Sequence, residues 1–359
     1  MKTIVLTGGG TAGHVTPNLA LIPRLKADGW EIHYIGGANS PEQQLIAQVP
    51  DVTFHAVSVG KLRRYFDPRN FTDPFRVVRG IRQATGIIRR LKPNVVFSKG
   101  GFVSVPVVYG AALNGVPVVI HESDMTPGLA NKLCAPFAKV ECCTFPEAVQ
   151  YTKGKGVYTG TPIRPELLSG DREAGLRRFG FNEHRPVLMV MGGSTGAQAI
   201  NQALRLALPK LTGNFQVLHL CGKGNSNPDY NGDSNYVQYE YMNEEMADAY
   251  ACADIIVSRA GANALCEILA AHKPALLIPY PKSASRGDQI LNAESFRARG
   301  LSHVLMQEDM TPDTLVKAIE KLYHDRGTLC QAIDAEPTGN GIDAVLEQIY
   351  KYAKQNVAG

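Results

Sequence analysis

Short apolar, β-branched runs alternate along this chain with segments whose apolar residues recur every three or four positions. In the first half, Ile4–Leu6, Ile32–Ile35, Thr53–Val57, Val95–Ser98, Val116–Ile120 and Val140–Cys143 read as buried strands. Helical spacing covers Val15–Asp28, Pro41–Gln48, Pro74–Leu91, Val103–Leu113 and Pro127–Cys134. Strands alternating with helices predict a parallel, doubly wound sheet, whose ligands sit beyond the carboxyl ends of the strands. Three stretches fall there: Gly8–His14, Ser98–Phe102 and His121–Asp124, each placed directly after a strand.

Residues 154–165 read as turn-rich, and then the pattern restarts. Pro186–Met191 is a strand, 192–197 a second glycine turn and Gln198–Leu208 a helix, so GGSTGAQ echoes the opening GGGTAGH. Further strands are expected at Gln216–Leu220, Tyr236–Tyr239, Ile255–Val257 and Ala275–Ile278, with a helix over Glu244–Ala251. A third glycine turn, 258–261, runs into a helix, and 279–289 reads as a long polar loop. The fold class is therefore α/β: two Rossmann-like domains with parallel sheets facing across a cleft. The boundaries are 1–160 and 161–338, with 339–359 a closing helix expected to pack back on the first domain.

Composition fits a soluble globular protein, 44% hydrophobic and 19% charged over 359 residues, too long for one ordinary core. Seven scattered cysteines form no C-x-x-C pair, which argues against zinc and against a disulfide framework. No metal and no cofactor is expected. The chain has no apolar run of signal-peptide or membrane-spanning length. Charge changes the picture. Residues 61–92 hold ten basic and two acidic side chains, a local excess of eight that accounts for the basic first half. Lys61–Phe66, Phe71 and Phe75 interleave aromatics with cations, and the next helix has an apolar stripe at Val77, Ile81, Ala84, Ile88 and Leu91. The stripe suits packing on the sheet. The cations and loop aromatics suit an anionic membrane surface better than nucleic acid, for which no recognised motif is present.

Glycine turns that feed helices suit anions, because free N–H groups and the positive dipole end point into the turn. Each can equally be a plain strand-to-helix turn. No Walker lysine is present, so triphosphate hydrolysis is not expected. Glu267, six residues beyond Gly261, has the chemistry to accept ribose hydroxyls, and Gln289 to bind a sugar, although both also fit solvated surface roles. His14 and Glu122 are alternative general bases.

Taken in order, Gly8–His14 with Pro17, Lys99–Ser104, His121–Asp124 with Pro127–Lys132, Gly160–Arg164, Gly192–Ser194, Arg259–Ala262 with Glu267, and Asp288-Gln289 resemble the peptidoglycan N-acetylglucosaminyltransferases, over nearly the whole chain. The resemblance implies a GT-B fold and inverting transfer of N-acetylglucosamine from UDP-N-acetylglucosamine to the muramyl C4 hydroxyl of lipid I, giving lipid II. It implies an acceptor- and membrane-binding first domain and a UDP-sugar-binding second domain. Ser194 would bind the diphosphate, Arg164 the UDP portion, Glu267 the ribose and Gln289 the sugar. Met242, Ala262, Asn263, Ala264, Leu265 and Cys266 would line the donor, with Thr11, Ala12, Gly13 and Asp124 touching it from the first domain. His14 and Glu122 would lie near the acceptor. Arg64, Tyr65, Phe66, Phe71, Phe75, Arg76 and Arg79 would dock on the cytoplasmic face of the membrane as a peripheral protein does. Two positions depart from the family pattern: Ala12 stands where many members have Gly, and Asp124 where many have Asn.

Alternatives within the fold are a UDP-sugar transferase with another lipid acceptor, such as diacylglycerol, or a UDP-sugar 2-epimerase. Outside it stand a nicotinamide-dependent oxidoreductase and a non-catalytic nucleotide-sugar-binding protein. The oxidoreductase fits poorly, because Glu31 precedes its strand instead of ending it.

Overall fold

The apolar runs of the first half assemble into one sheet. In the computed structural model, which describes residues 2–60, 73–193, 196–230, 232–282, 287–336 and 340–354, β1 (Lys2–Thr7), β2 (Trp30–Gly37), β3 (Val52–Val57), β4 (Val95–Ser98), β5 (Val118–Glu122), β6 (Val140–Cys143) and β7 (Gly156–Tyr158) pair in the order β3-β2-β1-β4-β5-β6-β7. Every pair is parallel. Between the strands run α1 (Thr16–Ala27), α2 (Pro41–Ile46), α3 (Asp73–Leu91), α4 (Ser104–Leu113) and α5 (Leu129–Cys134). Ser40 caps α2 by accepting from the Gln43 amide at 3.3 Å. The stripe of α3 turns inward: Ala84 and Ile88 are fully buried beside Val57, Val96 and Val107. Gly80 lets α3 approach closely, since a Cβ there would lie 2.1 Å from the Ser58 carbonyl oxygen.

The second half repeats the plan. β8 (Val187–Met191), β9 (Gln216–Leu220), β10 (Tyr236–Tyr239), β11 (Ile255–Ser258), β12 (Ala275–Leu277) and β13 (Ser302–Val304) form a sheet in the order β10-β9-β8-β11-β12-β13, again all parallel. Its helices are α6 (Arg172–Phe179), α7 (Gln198–Leu211), α8 (Met246–Cys252), α9 (Ala262–Ala270), α10 (Asp288–Ala298) and α11 (Pro312–Asp334). One face, with Leu188, Val190, Val217, Val257 and Leu276, packs against α7 and α11. Side chains alternate along a strand, so Met191 points to the other face. There the Tyr250 hydroxyl of α8 lies 3.8 Å from the Met191 sulfur and donates at 3.2 Å to Glu267 of α9.

The chain divides into unit 1, residues 1–164 with 340–359, and unit 2, residues 165–339. The last described helix, α12 (Ile342–Tyr352), belongs to unit 1. Its Val345, Leu346 and Ile349 are buried with Leu21, Leu25 and Phe97, and Tyr350 stacks on Trp30 at 5.8 Å. The outgoing and returning segments are tied together. The Ile163 amide donates to the Asn340 side chain at 3.2 Å, the Asn340 amide donates back to the Ile163 carbonyl at 3.0 Å, and Gly341 N–H donates to Thr161 at 3.1 Å.

Four local expectations need correction. β5 starts two residues later than the apolar run, after Pro117, which has no N–H to give the ladder; His121 and Glu122 thus end the strand instead of following it. The turn-rich stretch at 154–165 contains the edge strand β7. α7 continues past Pro209, because Leu208 and Leu211 stay in the core and only one N–H bond of the last turn is forfeited. Asp288 and Gln289 are not loop residues: Gly287, at φ 84°, caps α10 in the left-handed region and places both in the first helical turn.

Candidate active site

Both sheets reverse their strand order at one point, and crevices for ligands open there. In unit 1 the reversal lies between β1 and β4, and in unit 2 between β8 and β11. The glycine turns after these strands are therefore the positions to inspect.

In unit 1 the first turn is already occupied, and its occupant is a side chain. Glu42, fully buried at the start of α2, accepts from Gly10 N–H at 3.2 Å with one oxygen and from Gly37 N–H at 3.1 Å with the other. A Cβ on Gly9 would meet the Glu42 carboxyl carbon at 2.5 Å, so glycine is required by this close approach. The expectation of an open phosphate cradle at Gly8–Gly10 is corrected accordingly, because the inner donor of the turn is already satisfied.

The β4 turn lies directly on the β1 turn. Lys99 N–H donates to the Thr7 carbonyl at 2.9 Å, continuing the ladder past the strand end. Gly101, at φ 81°, is in such contact that a Cβ would sit 2.2 Å from the Gly9 carbonyl oxygen and 3.2 Å from His14 Cδ2. The Lys99 side chain is fully buried and its ammonium donates to the Ser123 hydroxyl of the β5 loop. His14 ends a short 3-10 turn, Ala12–His14, and is partly exposed. Its Nδ1 is buried without a hydrogen-bond partner. Burial and the Lys99 charge lower its pKa to about 4, offset in part by the Lys99 backbone, so the imidazole is neutral near pH 7. His121, fully buried, donates from Nε2 to the Gly160 carbonyl at 2.9 Å; burial, then Lys99, depress its pKa too.

Glu122 is occupied by its own loop. One carboxylate oxygen accepts from the Ser123 and Asp124 amides at 2.8 and 3.0 Å, the other from Gly128 N–H and the Asn131 side chain, both at 2.9 Å. Burial pushes its pKa up, against those hydrogen bonds. Four donors on a carboxylate only 4% exposed leave no lone pair aimed at a substrate. The expectation that Glu122 serves as a base is corrected: it folds the 123–128 loop over the start of α5.

In unit 2, α7 begins after Gly192, Gly193 and Gly196 with Ala197 at its N-cap, and α9 begins with Gly261 at its N-cap, residues that have no side-chain oxygen to cap the turn. Both helices turn the positive ends of their dipoles toward the strand ends. Glu267 and Gln289 are partly exposed on that side, and Gln289 accepts from Tyr280 N–H at 3.2 Å. On the α7–α11 face a cavity of about 540 Å³ is lined by Gly196, Gln198, Lys223, Asn225, Arg259 and Tyr280. Arg259 is held by the Ile278 and Pro279 carbonyls at 3.0 and 3.2 Å and by Gln307 at 2.7 Å, with Tyr280 stacked at 4.0 Å.

Residues 4–142 match the glycosyltransferase family 28 N-terminal domain and residues 187–349 its C-terminal domain. The chain belongs to glycosyltransferase family 28. Among the family's relatives, a protein of Lachnoclostridium phytofermentans, described as a UDP-N-acetylglucosamine–N-acetylmuramyl-(pentapeptide) pyrophosphoryl-undecaprenol N-acetylglucosamine transferase, is 52% identical over 96% of this chain and 98% of its own. One of the same description from Geobacillus thermodenitrificans is 51% identical over 98% of this chain and 99% of its own. The crystal structure of Acinetobacter baumannii MurG superposes with a TM-score of 0.76 at 25% identity, over 98% of this chain and all of that one. A kitacinnamycin glycotransferase shares the fold at TM-score 0.75 and 16% identity, over 98% and 99% of the two chains. The fold is GT-B, and the chain is a glycosyltransferase.

Of the family-type residues expected in a site, unit 1 carries Thr11, Ala12, Gly13, His14, Glu122, Asp124 and Arg164, and unit 2 carries Met242, Ala262–Glu267 and Gln289. Ala262, Leu265, Cys266 and Met242 are buried, and of the α9 set Asn263, Ala264 and Glu267 are partly exposed. Ser194 and the aromatic-basic residues Arg64, Tyr65, Phe66 and Phe71 lie outside the described residues. Phe75 is 78% exposed, and Arg76 and Arg79 are exposed beside it. Sequence reasoning missed Glu42 and gave Lys99 no role. The helical spacing over Pro41–Gln48 located the helix of Glu42, but nothing local marks a carboxylate that turns back under another strand's loop.

Proposed function

We propose that this glycosyltransferase moves N-acetylglucosamine from UDP-N-acetylglucosamine to the C4 hydroxyl of the muramyl sugar of lipid I, giving lipid II. The observation that supports this most strongly is the roughly 50% identity, over nearly full length on both sides, to relatives described by that activity. In this reading the donor lies on unit 2. The start of α7 and the residue Ser194 bind the diphosphate, and Glu267 accepts from the ribose hydroxyls. Gln289 binds the sugar, and Arg164, Met242, Asn263 and Ala264 complete the donor contacts. Thr11, Ala12, Gly13 and Asp124 contribute from unit 1.

His14 is the general base. It is neutral near pH 7 and partly exposed, so its ring can take the acceptor proton. The deprotonated hydroxyl displaces UDP in one step, inverting the anomeric carbon. The lipid-linked acceptor requires a membrane. Phe75 and the arginines of α3 fit docking on an anionic cytoplasmic leaflet, and among the described residues no helix is long and apolar enough to cross one.

The test is UDP release from UDP-N-acetylglucosamine with and without a lipid I analogue. Release should depend on the acceptor, and diacylglycerol should not replace it. His14→Ala should lower kcat by about 10²–10⁴-fold while UDP still binds. Acceptor-independent turnover, or a changed sugar released alone, would sink the reading.

A further inference from the structure

Lys99 is a fully buried basic side chain that the mechanism above leaves without a task. A buried ammonium is costly unless its surroundings are built for it, so its position calls for a cause. Three turns meet around it. Its backbone prolongs β4 against Thr7 of β1. Its Cβ lies where a Cβ on Gly8 would come within 3.1 Å, directly under the first glycine turn. Its ammonium reaches the hydroxyl of Ser123, whose amide is one of the four donors on Glu122. Lys99 thus joins the β4 turn to the β5 loop, and Gly101, two residues on, presses against Gly9 and His14.

We propose that Lys99 is a positioning residue for the transfer: its backbone ties the β4 turn to β1, its buried ammonium ties that turn to the β5 loop, and the same ammonium keeps a second positive charge off His14. The proposal rests on the reading of His14 as the base. A base must start unprotonated, and a fixed cation beside a desolvated imidazole disfavours the imidazolium without touching the substrate. Among the described residues, Lys99 from the β4 turn and His121 from β5 bear on His14: Lys99 opposes a charge on it, and His121 has its own pKa depressed. The depressed His14 pKa, with burial first and Lys99 second among its causes, agrees with this arrangement.

The test reads His14 directly. Imidazole C–H resonances of the full-length enzyme are titrated by NMR, with His14→Asn giving the assignment. The wild-type midpoint is expected at about 4. Lys99→Met should raise it by about one pH unit and Lys99→Arg should return it toward the wild-type value. Lys99→Gln removes the charge but keeps a donor for Ser123, so it must shift the midpoint as Lys99→Met does, and it decides the matter if Lys99→Met does not fold. The acidic limb of kcat/KM should move with the midpoint. An unmoved His14 midpoint in the neutral variants overturns the proposal, as does failure of Lys99→Arg to restore it. A midpoint that moves while the acidic limb stays fixed upholds the coupling of Lys99 to His14 and removes His14 as the base.

Discussion

At the scale of single residues, the strand-end turns of unit 1 owe their shape to two carboxyl groups facing inward. Glu42 satisfies Gly10 and Gly37, and Glu122 satisfies four donors of the 123–128 segment. Neither is free to act on a substrate, and both act by fixing backbone that would otherwise hold unpaired N–H groups. Glu122→Gln tests this. An amide has one acceptor oxygen, so its NH₂ must face donors, costing about 1–3 kcal/mol for the groups left unsatisfied. A lowered unfolding midpoint is expected in urea, with the pH dependence of kcat/KM unmoved. A displaced acidic limb would instead restore Glu122 as a base. The sequence marked His14 and Glu122 by residue type and by their nearness to strand ends, and to that extent the site was legible. The donors that occupy Glu122 were not, because they depend on Asn131 and Gly128 returning to it, a contact that no periodicity encodes.

At the scale of elements, apolar alternation located the strands well, since a strand buried on both faces is a short continuous run. β4 and β6 match their runs residue for residue, and β5 slipped because Val116 is apolar but precedes Pro117. Helix starts were harder where a polar segment begins them: α10 opens on Asp288 after Gly287 and looked like loop. α3 is the element with two loyalties. Its inner stripe packs against the sheet, while Phe75 at 78% and Val78 at 56% exposure stand beside Arg76 and Arg79. Removing one such cation should weaken binding to vesicles containing phosphatidylglycerol by about fivefold, since each is worth about 1 kcal/mol near an anionic surface. Co-sedimentation of Arg79→Ala at low and high salt checks this. Equal binding by the variant, or binding indifferent to salt, would detach α3 from the membrane.

At the scale of the whole molecule, stability should carry the signature of imidazoles buried in the neutral state. His14 is held to about 4, His219 to about 3, and His121 well below its usual value, in each case first by burial. As pH falls below 6.5 the unfolded chain takes up protons that the folded one refuses, so stability falls with pH. Glu141, pushed up to about 7 by burial, and Glu122, raised for the same cause, act with the opposite sign above about 4.5 and offset part of that loss. The steepest fall in Tm is therefore expected below about pH 4.5, and His219→Gln, which cannot protonate, should make it shallower. A Tm that stays flat as pH falls below about 4.5 would refute this. The two-domain plan was readable in the recurrence of a strand, a glycine turn and a helix, whereas the tie between 160–164 and 340–341 was not, being a meeting of segments far apart in the chain. The placement of α12 has a consequence for biosynthesis. Leu21, Leu25 and Phe97 of unit 1 are covered by a helix translated only after all of unit 2. At about 5–20 residues per second, the ribosome carries a half-covered first core for roughly ten seconds or more while unit 2 emerges and can fold. A nascent chain stalled before Ile342 would expose that apolar surface to chaperones and to aggregation, however complete its second unit.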